Sequence, residues 1–137
     1  MPQETGDQLA LESDVRARAG TTPGEPTHDI FDREALLARV GGDAALLAAM
    51  ASLFLEECPR YIASIREAVA GGDARALEGA THALKGSVSN FTAHRAVQAA
   101  QRLELMGRDG NLTESAQALR ELEVAIGRVR VAIRELT

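Results

Sequence analysis

The spacing of apolar residues, and the way it is interrupted, constrains this chain more than any other feature. From Ile30 to the C-terminus apolar side chains recur three and four positions apart, and no strand-like alternation exceeds four residues. That period belongs to the α-helix. The interruptions are chemically specific. Gly41-Gly42-Asp43 and Gly71-Gly72-Asp73 each place a helix stop directly before a helix cap. A short first helix is expected to start at Asp32, with Glu34 in its first turn, and to end at Gly41-Gly42. Asp43 then caps a long second helix to about Ala70. Its stripe reads Leu46/Leu47, Met50, Leu53/Phe54, Tyr61/Ile62, Ile65 and Val69. Pro59 lies inside this stripe without changing its phase, which predicts a kink and not a break. A third helix is expected from Asp73 to Ser89, and a fourth from about Ala93 to Met106, ending before Gly107. Asn111 and Glu114 read as a capping-box-like pair ahead of a last helix that carries Leu112, Ala116, Leu119, Leu122, Ile126, Val129, Ile133 and Leu136.

Connections of three to six residues make neighbouring helices antiparallel. The expected fold is therefore all-α: an up-down-up-down antiparallel four-helix bundle with a short extra N-terminal helix. Hydrophobic residues are 45% of the chain but aromatics only 3%, with no Trp, so the core must be aliphatic. Residues 1–29 hold Pro2, Pro23 and Pro26 among polar residues and read as a flexible tail or linker, leaving 30–137 as the domain.

Charge removes several function classes. The net charge is −5, Lys85 is the only lysine, and the arginines are scattered among acids, so no basic face for nucleic acid is expected. No stretch reaches the roughly 18 apolar residues of a membrane span, and the first residues lack the pattern of a signal peptide. The single cysteine, Cys58, falls in an apolar-periodic stretch and reads as a core residue. A cytoplasmic protein is the resulting expectation.

The third helix has one anomalous face. At about 100° per residue, Leu77, Ala80, Thr81, Leu84 and Val88 fall together as the core stripe. His82 falls elsewhere, beside Arg75, Glu78, Gly79, Lys85, Gly86 and Ser89, and is expected to point outward. Gly79 and Gly86 flank it by one turn on each side, although each glycine costs about 1 kcal/mol relative to Ala inside a helix. On an exposed face they offer bare backbone, over which another protein can approach. Lys85 sits three residues on, where an ammonium can meet a phosphoryl oxygen. A neutral imidazole is a competent nucleophile near pH 7, since its unperturbed pKa is about 6.5. Phosphoryl transfer depends on positioning and charge stabilisation. From the wheel alone, a merely solvated histidine remains the simpler reading.

His82-Ala-Leu-Lys85-Gly86-Ser87 resembles the His-x-Leu-Lys-Gly-Ser signature of histidine-containing phosphotransfer (HPt) domains of bacterial phosphorelays. The likeness runs from about Ile30 to Leu136 and includes Leu53-Phe54-Leu55, Pro59, Gly72-Asp73, Asn90-Phe91, Leu103-Glu104, Gly107-Arg108 and Gly110. It implies that His82 is the phosphoacceptor, that Lys85 steadies the phosphoryl group and that Gly86 clears space for the partner. It also implies a receiver-domain partner whose aspartate exchanges the group and whose pocket holds magnesium, with no cofactor and no kinase activity in this chain itself. Gly79, Glu78, Ser89 and Arg75 are the further candidates for partner binding. A C-terminal module of a hybrid histidine kinase and a free-standing protein are both compatible. Two positions depart from the family pattern: Thr81 stands where Ala is frequent, with a hydroxyl free to bond a preceding carbonyl. Thr92 stands where Gly is frequent, and is expected to cap the fourth helix.

Other chemistry is poorly supported. His94 and His28 lack metal-ligand neighbours, and the pairs Glu56-Glu57 and Glu121/Glu123 read as solvated faces. The alternative is a helical docking module for a receiver or kinase without covalent chemistry. The dimerisation hairpin of a histidine kinase fits less well, because Ala83, not an acid, follows His82 and no proline occurs after Pro59. Enough helices are present to close a bundle as a monomer.

Overall fold

A computed structural model describes residues 31–137. The expected tail at 1–29 lies outside the described residues. Five helices and no strand occur among them: α1 (Arg33–Arg39), α2 (Ala44–Gly71), α3 (Ala74–Ser89), α4 (His94–Asp109) and α5 (Ser115–Arg134). The aspartates at the expected caps do their work. Asp32 accepts from the amides of Glu34 and Ala35, Asp43 from Leu46 and Asp73 from Ala76. Each such cap is worth about 1 kcal/mol against Ala. Gly72 follows α2 with φ 65°, the left-handed conformation that lets the chain turn at no steric cost.

α2, α3, α4 and α5 close a ring, each packed on its sequence neighbour and α5 returning to α2, while α1 touches α2. Pro59 lies within the uninterrupted α2, one residue after the buried Cys58. The core is aliphatic, as the composition requires. Leu36, Ile65, Leu77, Leu84, Leu103, Leu122 and Ile133 are fully enclosed, and Phe54 meets Phe91 edge-on with ring centroids 5.6 Å apart. Of the doubled positions on α2, Leu47 and Phe54 point inward, whereas Leu46 and Leu53 remain on the surface.

Three local expectations are corrected. First, α4 does not stop before Gly107 but continues to Asp109, and Gly110, with φ 73°, ends it. Gly107 is there for contact. A Cβ at this position would stand 2.7 Å from both the carbonyl oxygen of Ala74 and the amide nitrogen of Glu78. Only a glycine lets α4 lie this close to α3. Second, Asn111 and Glu114 form no capping box. Glu114 makes no capping bond, while Asn111 Oδ1 accepts from the amide and hydroxyl of Thr113 and the Ser115 hydroxyl donates to the Leu112 carbonyl. Asn111 prefers this local turn because its short side chain reaches the amide two residues on. Third, Thr92 caps nothing. Its φ is 54° and its hydroxyl donates to the Phe91 carbonyl, while Ala93 occupies the cap position of α4 without a side-chain bond. A left-handed β-branched residue is strained by roughly 1–2 kcal/mol, which explains why glycine suits this turn.

Candidate functional site

The site begins with the register of α3. Asp73 fixes its first turn, and Leu77, Thr81, Leu84 and Val88 are all completely buried. Thr81 is tolerated inside because its hydroxyl donates to the Leu77 carbonyl at 2.7 Å. With that face turned inward, His82 is carried to the outside. Its side chain is 70% exposed.

The ring does not stand alone. Across the α3–α4 contact, Glu104 is only 3% exposed. One of its carboxyl oxygens meets His82 Nδ1 at 2.7 Å, and the other meets Lys85 Nζ at 2.6 Å. One turn further along α4, Arg108 brings a terminal guanidinium nitrogen within 3.6 Å of the oxygen that holds His82. Its Nε donates to Glu78 at 3.2 Å. Numbers rise along α3 from 78 to 85 as they fall along α4 from 108 to 104, so the two helices run antiparallel. The close approach at Gly107 sets Glu104 at the height of His82.

These contacts determine the protonation pattern. The Lys85 ammonium, and to a lesser degree the His82 ring, hold the Glu104 carboxyl below the usual carboxylate range, against the upward push of burial. Glu104 is thus an anion at neutral pH and can only accept. A neutral His82 must therefore carry its proton on Nδ1. That leaves the lone pair on Nε2, the ring nitrogen not engaged by Glu104.

The surroundings of the ring are open. A Cβ added at Gly79 or at Gly86 would meet no atom within 4 Å. Beside His82 lies a shallow depression between α2 and α3, with Met50, Leu53, Phe54 and Tyr61 on one side and Ala83 and Gly86 on the other. A nucleophilic nitrogen, held from behind by a carboxylate and bordered by uncluttered backbone, can attack an electrophile presented by a second protein.

The family model of the Hpt domain matches residues 49–132, more than half of the chain. The chain belongs to the Hpt domain family. No curated protein and no solved structure gives a significant match. Hpt domains carry out histidine phosphotransfer in phosphorelays, generally without kinase activity, and interact with the receiver domains of response regulators.

Within this Hpt domain the residues singled out from sequence divide into two sets. His82 and Lys85 meet at Glu104, and Glu78 joins them through Arg108. Gly79 and Gly86 border the ring. Ser89 is exposed and spends its hydroxyl on the Gly86 carbonyl at 2.9 Å, and Arg75 is exposed two turns before His82, about 10 Å along the axis. Glu104 and Arg108 are the residues the sequence reading missed as site members. The signal for Glu104 was present: it shares the helical phase of Ala96, Ala100, Leu103 and Gly107, all buried. A carboxylate in a core register requires a partner. Among the described residues no group of His, Cys, Asp and Glu could hold a metal, and no single helix is long and apolar enough to cross a membrane.

Proposed function

We propose that this Hpt domain accepts a phosphoryl group on His82 Nε2 from the aspartyl phosphate of a receiver domain and returns it, reversibly, to a receiver aspartate. The observation that carries this reading is the bond from His82 Nδ1 to the buried Glu104 carboxylate on a ring that is otherwise exposed. In the transfer the Nε2 lone pair attacks phosphorus. The phosphorus–oxygen bond of the acyl phosphate breaks, and its electron pair leaves with the aspartate carboxylate. The ring becomes a phosphoimidazolium that keeps its Nδ1 proton, and Glu104 offsets the new positive charge. No proton has to leave, so the step can be reversed along the same path.

Magnesium belongs to the receiver in this scheme, and the Hpt domain supplies neither a metal nor a nucleotide. Docking uses the open backbone at Gly79 and Gly86 and the apolar depression floored by Phe54 and Leu53. The domain acts as a monomer, because α2 to α5 complete the bundle within one chain. The test is incubation with a receiver domain phosphorylated by acetyl phosphate. Acid-labile label is expected on His82 and none in His82→Gln. Gly86→Glu is expected to keep or raise helicity and to lose most of the labelling. A protein that binds the receiver without taking label overturns the proposal in favour of a docking module.

A further inference from the structure

The phosphotransfer site uses α2, α3 and one side of α4. The opposite side of α4 faces α5 across a groove of about 560 Å³, which shares no residue with the depression beside His82. Its floor is small and apolar: Ala96 and Val129 are buried, and Ala99 and Ala125 are half-buried. Val124 stands on its rim 66% exposed, and among the described residues none covers it. The rim is basic. Arg95, Arg102 and Arg128 line the groove against Glu121. Arg102 pairs with Glu121 and reaches Glu114 at 3.8 Å. This patch is notable because of where the chain keeps its negative charge. Residues 1–30 hold six acids and two arginines and so account for four of the five net negative charges, leaving residues 31–137 close to neutral. Four of those acids, Glu4, Asp7, Glu12 and Asp14, fall within residues 4–15 together with Leu9, Leu11 and Val15, and no lysine or arginine interrupts them.

We propose that the α4–α5 groove is the docking surface for residues 4–15 of the same chain. Leu9, Leu11 and Val15 supply apolar surface for the alanine floor and for Val124, and the four carboxylates meet the arginine rim. Reach is sufficient. Successive helices from α2 to α5 alternate in direction, so α4 starts at the end of the bundle where Phe31 leads through α1 into α2, and His94 and Arg95 line the groove at that end. Val15 lies sixteen residues before Phe31, up to about 50 Å of extended chain, against roughly 20–25 Å across two helices. A tethered segment needs little intrinsic affinity, because the tether keeps its effective concentration in the millimolar range. Docking there leaves the depression beside His82 uncovered, and it holds whether or not that histidine carries phosphate.

The test uses the full chain and a nitroxide label. Cys58 is wholly buried, so the reagent reacts only at a cysteine introduced outside the bundle. In the Thr5→Cys protein labelled in this way, the amide signals of Ala99 and Val124 are expected to broaden, while those of Ala83 and Gly86 beside His82 are spared. Arg95→Glu should remove most of the broadening without harming the fold, because Arg95 lies in the first turn of α4, where an acid favours the helix. Leu11→Asp should do the same, as should salt at about 1 M, where the screening length is only ~3 Å. Broadening that is absent, that survives Arg95→Glu or Leu11→Asp, or that falls equally on Ala83 and Gly86 overturns the proposal. A dilute mixture of nitroxide-bearing protein with nitroxide-free 15N protein is expected to show no broadening. Broadening of Ala99 and Val124 in that mixture assigns the groove to a second copy and overturns the proposal as well.

Discussion

Glu104 and Glu123 each bind a cation across a helix–helix boundary, and their surroundings differ. Glu104 is 3% exposed and bridges α4 to α3 through His82 and Lys85. Glu123 is 33% exposed and bridges α5 to α2 through a two-pronged pair with Arg66, both contacts at 2.9 Å. In each case the bound cation's hydrogen bond holds the carboxyl below the usual carboxylate range, against burial. The geometry at Arg66 is the better textured of the two, yet Arg66 is open to water and its pair competes with hydration. At Glu104 water is excluded from the acceptor, so an unfilled oxygen carries a desolvation cost. The comparison teaches that contact geometry alone does not rank ion pairs. The burial of the acceptor does.

That ranking can be broken in three places. The largest effect on stability is expected at Gly107, whose missing side chain permits the α3–α4 approach on which Glu104 depends. Gly107→Ala forces a methyl to within 2.7 Å of backbone that cannot rotate away. A loss of about 1–3 kcal/mol is expected in denaturant unfolding, with slower phosphoryl transfer because Glu104 no longer meets His82 at the same height. A variant as stable and active as the parent would mean that the helices separate without consequence.

Glu104→Gln comes next. The amide cannot serve an ammonium and an imidazole N–H as the carboxylate does, and about 1–2 kcal/mol is expected to be lost at pH 7. The pH dependence has a definite sign. The folded-state pKa is depressed from 4.5, so the contribution is fully present above the ordinary carboxylate value and disappears as pH falls through the lower folded value. Thermal unfolding of the two proteins should therefore differ at pH 7 and converge as the pH falls through that lowered value. A constant gap down to acid pH would show that the bonds at Glu104 are worth the same with the carboxyl protonated. The smallest effect belongs to the other pair. Arg66→Ala should leave the thermal midpoint close to the parent's and transfer untouched, and a fall comparable to that of Glu104→Gln would reverse the ranking.

Most of the architecture was legible in the chain because helix signals are local. Asp32, Asp43 and Asp73 each reach amides within three residues, and a three-to-four apolar spacing needs no distant partner to be read. The errors came where a local signal had a non-local cause. Gly107 looks like a stop until the backbone of Ala74 and Glu78 is seen against it. Thr92 looks like a cap until its positive φ shows that the turn wants a residue without a β-carbon. The outward position of His82 was legible on its own helix wheel, because exposure follows from phase, while its chemistry was read from the resemblance of His82-Ala-Leu-Lys85-Gly86-Ser87 to the family signature.

By itself the sequence determined the five helices, the aliphatic core and the outward face bearing His82, since periodicity and capping are written within a few residues of where they act. Only the tertiary structure decided which nitrogen of that imidazole is free. The answer depends on Glu104, more than twenty residues away on another helix. It comes into reach because one glycine lets two backbones pass at a distance no side chain would allow.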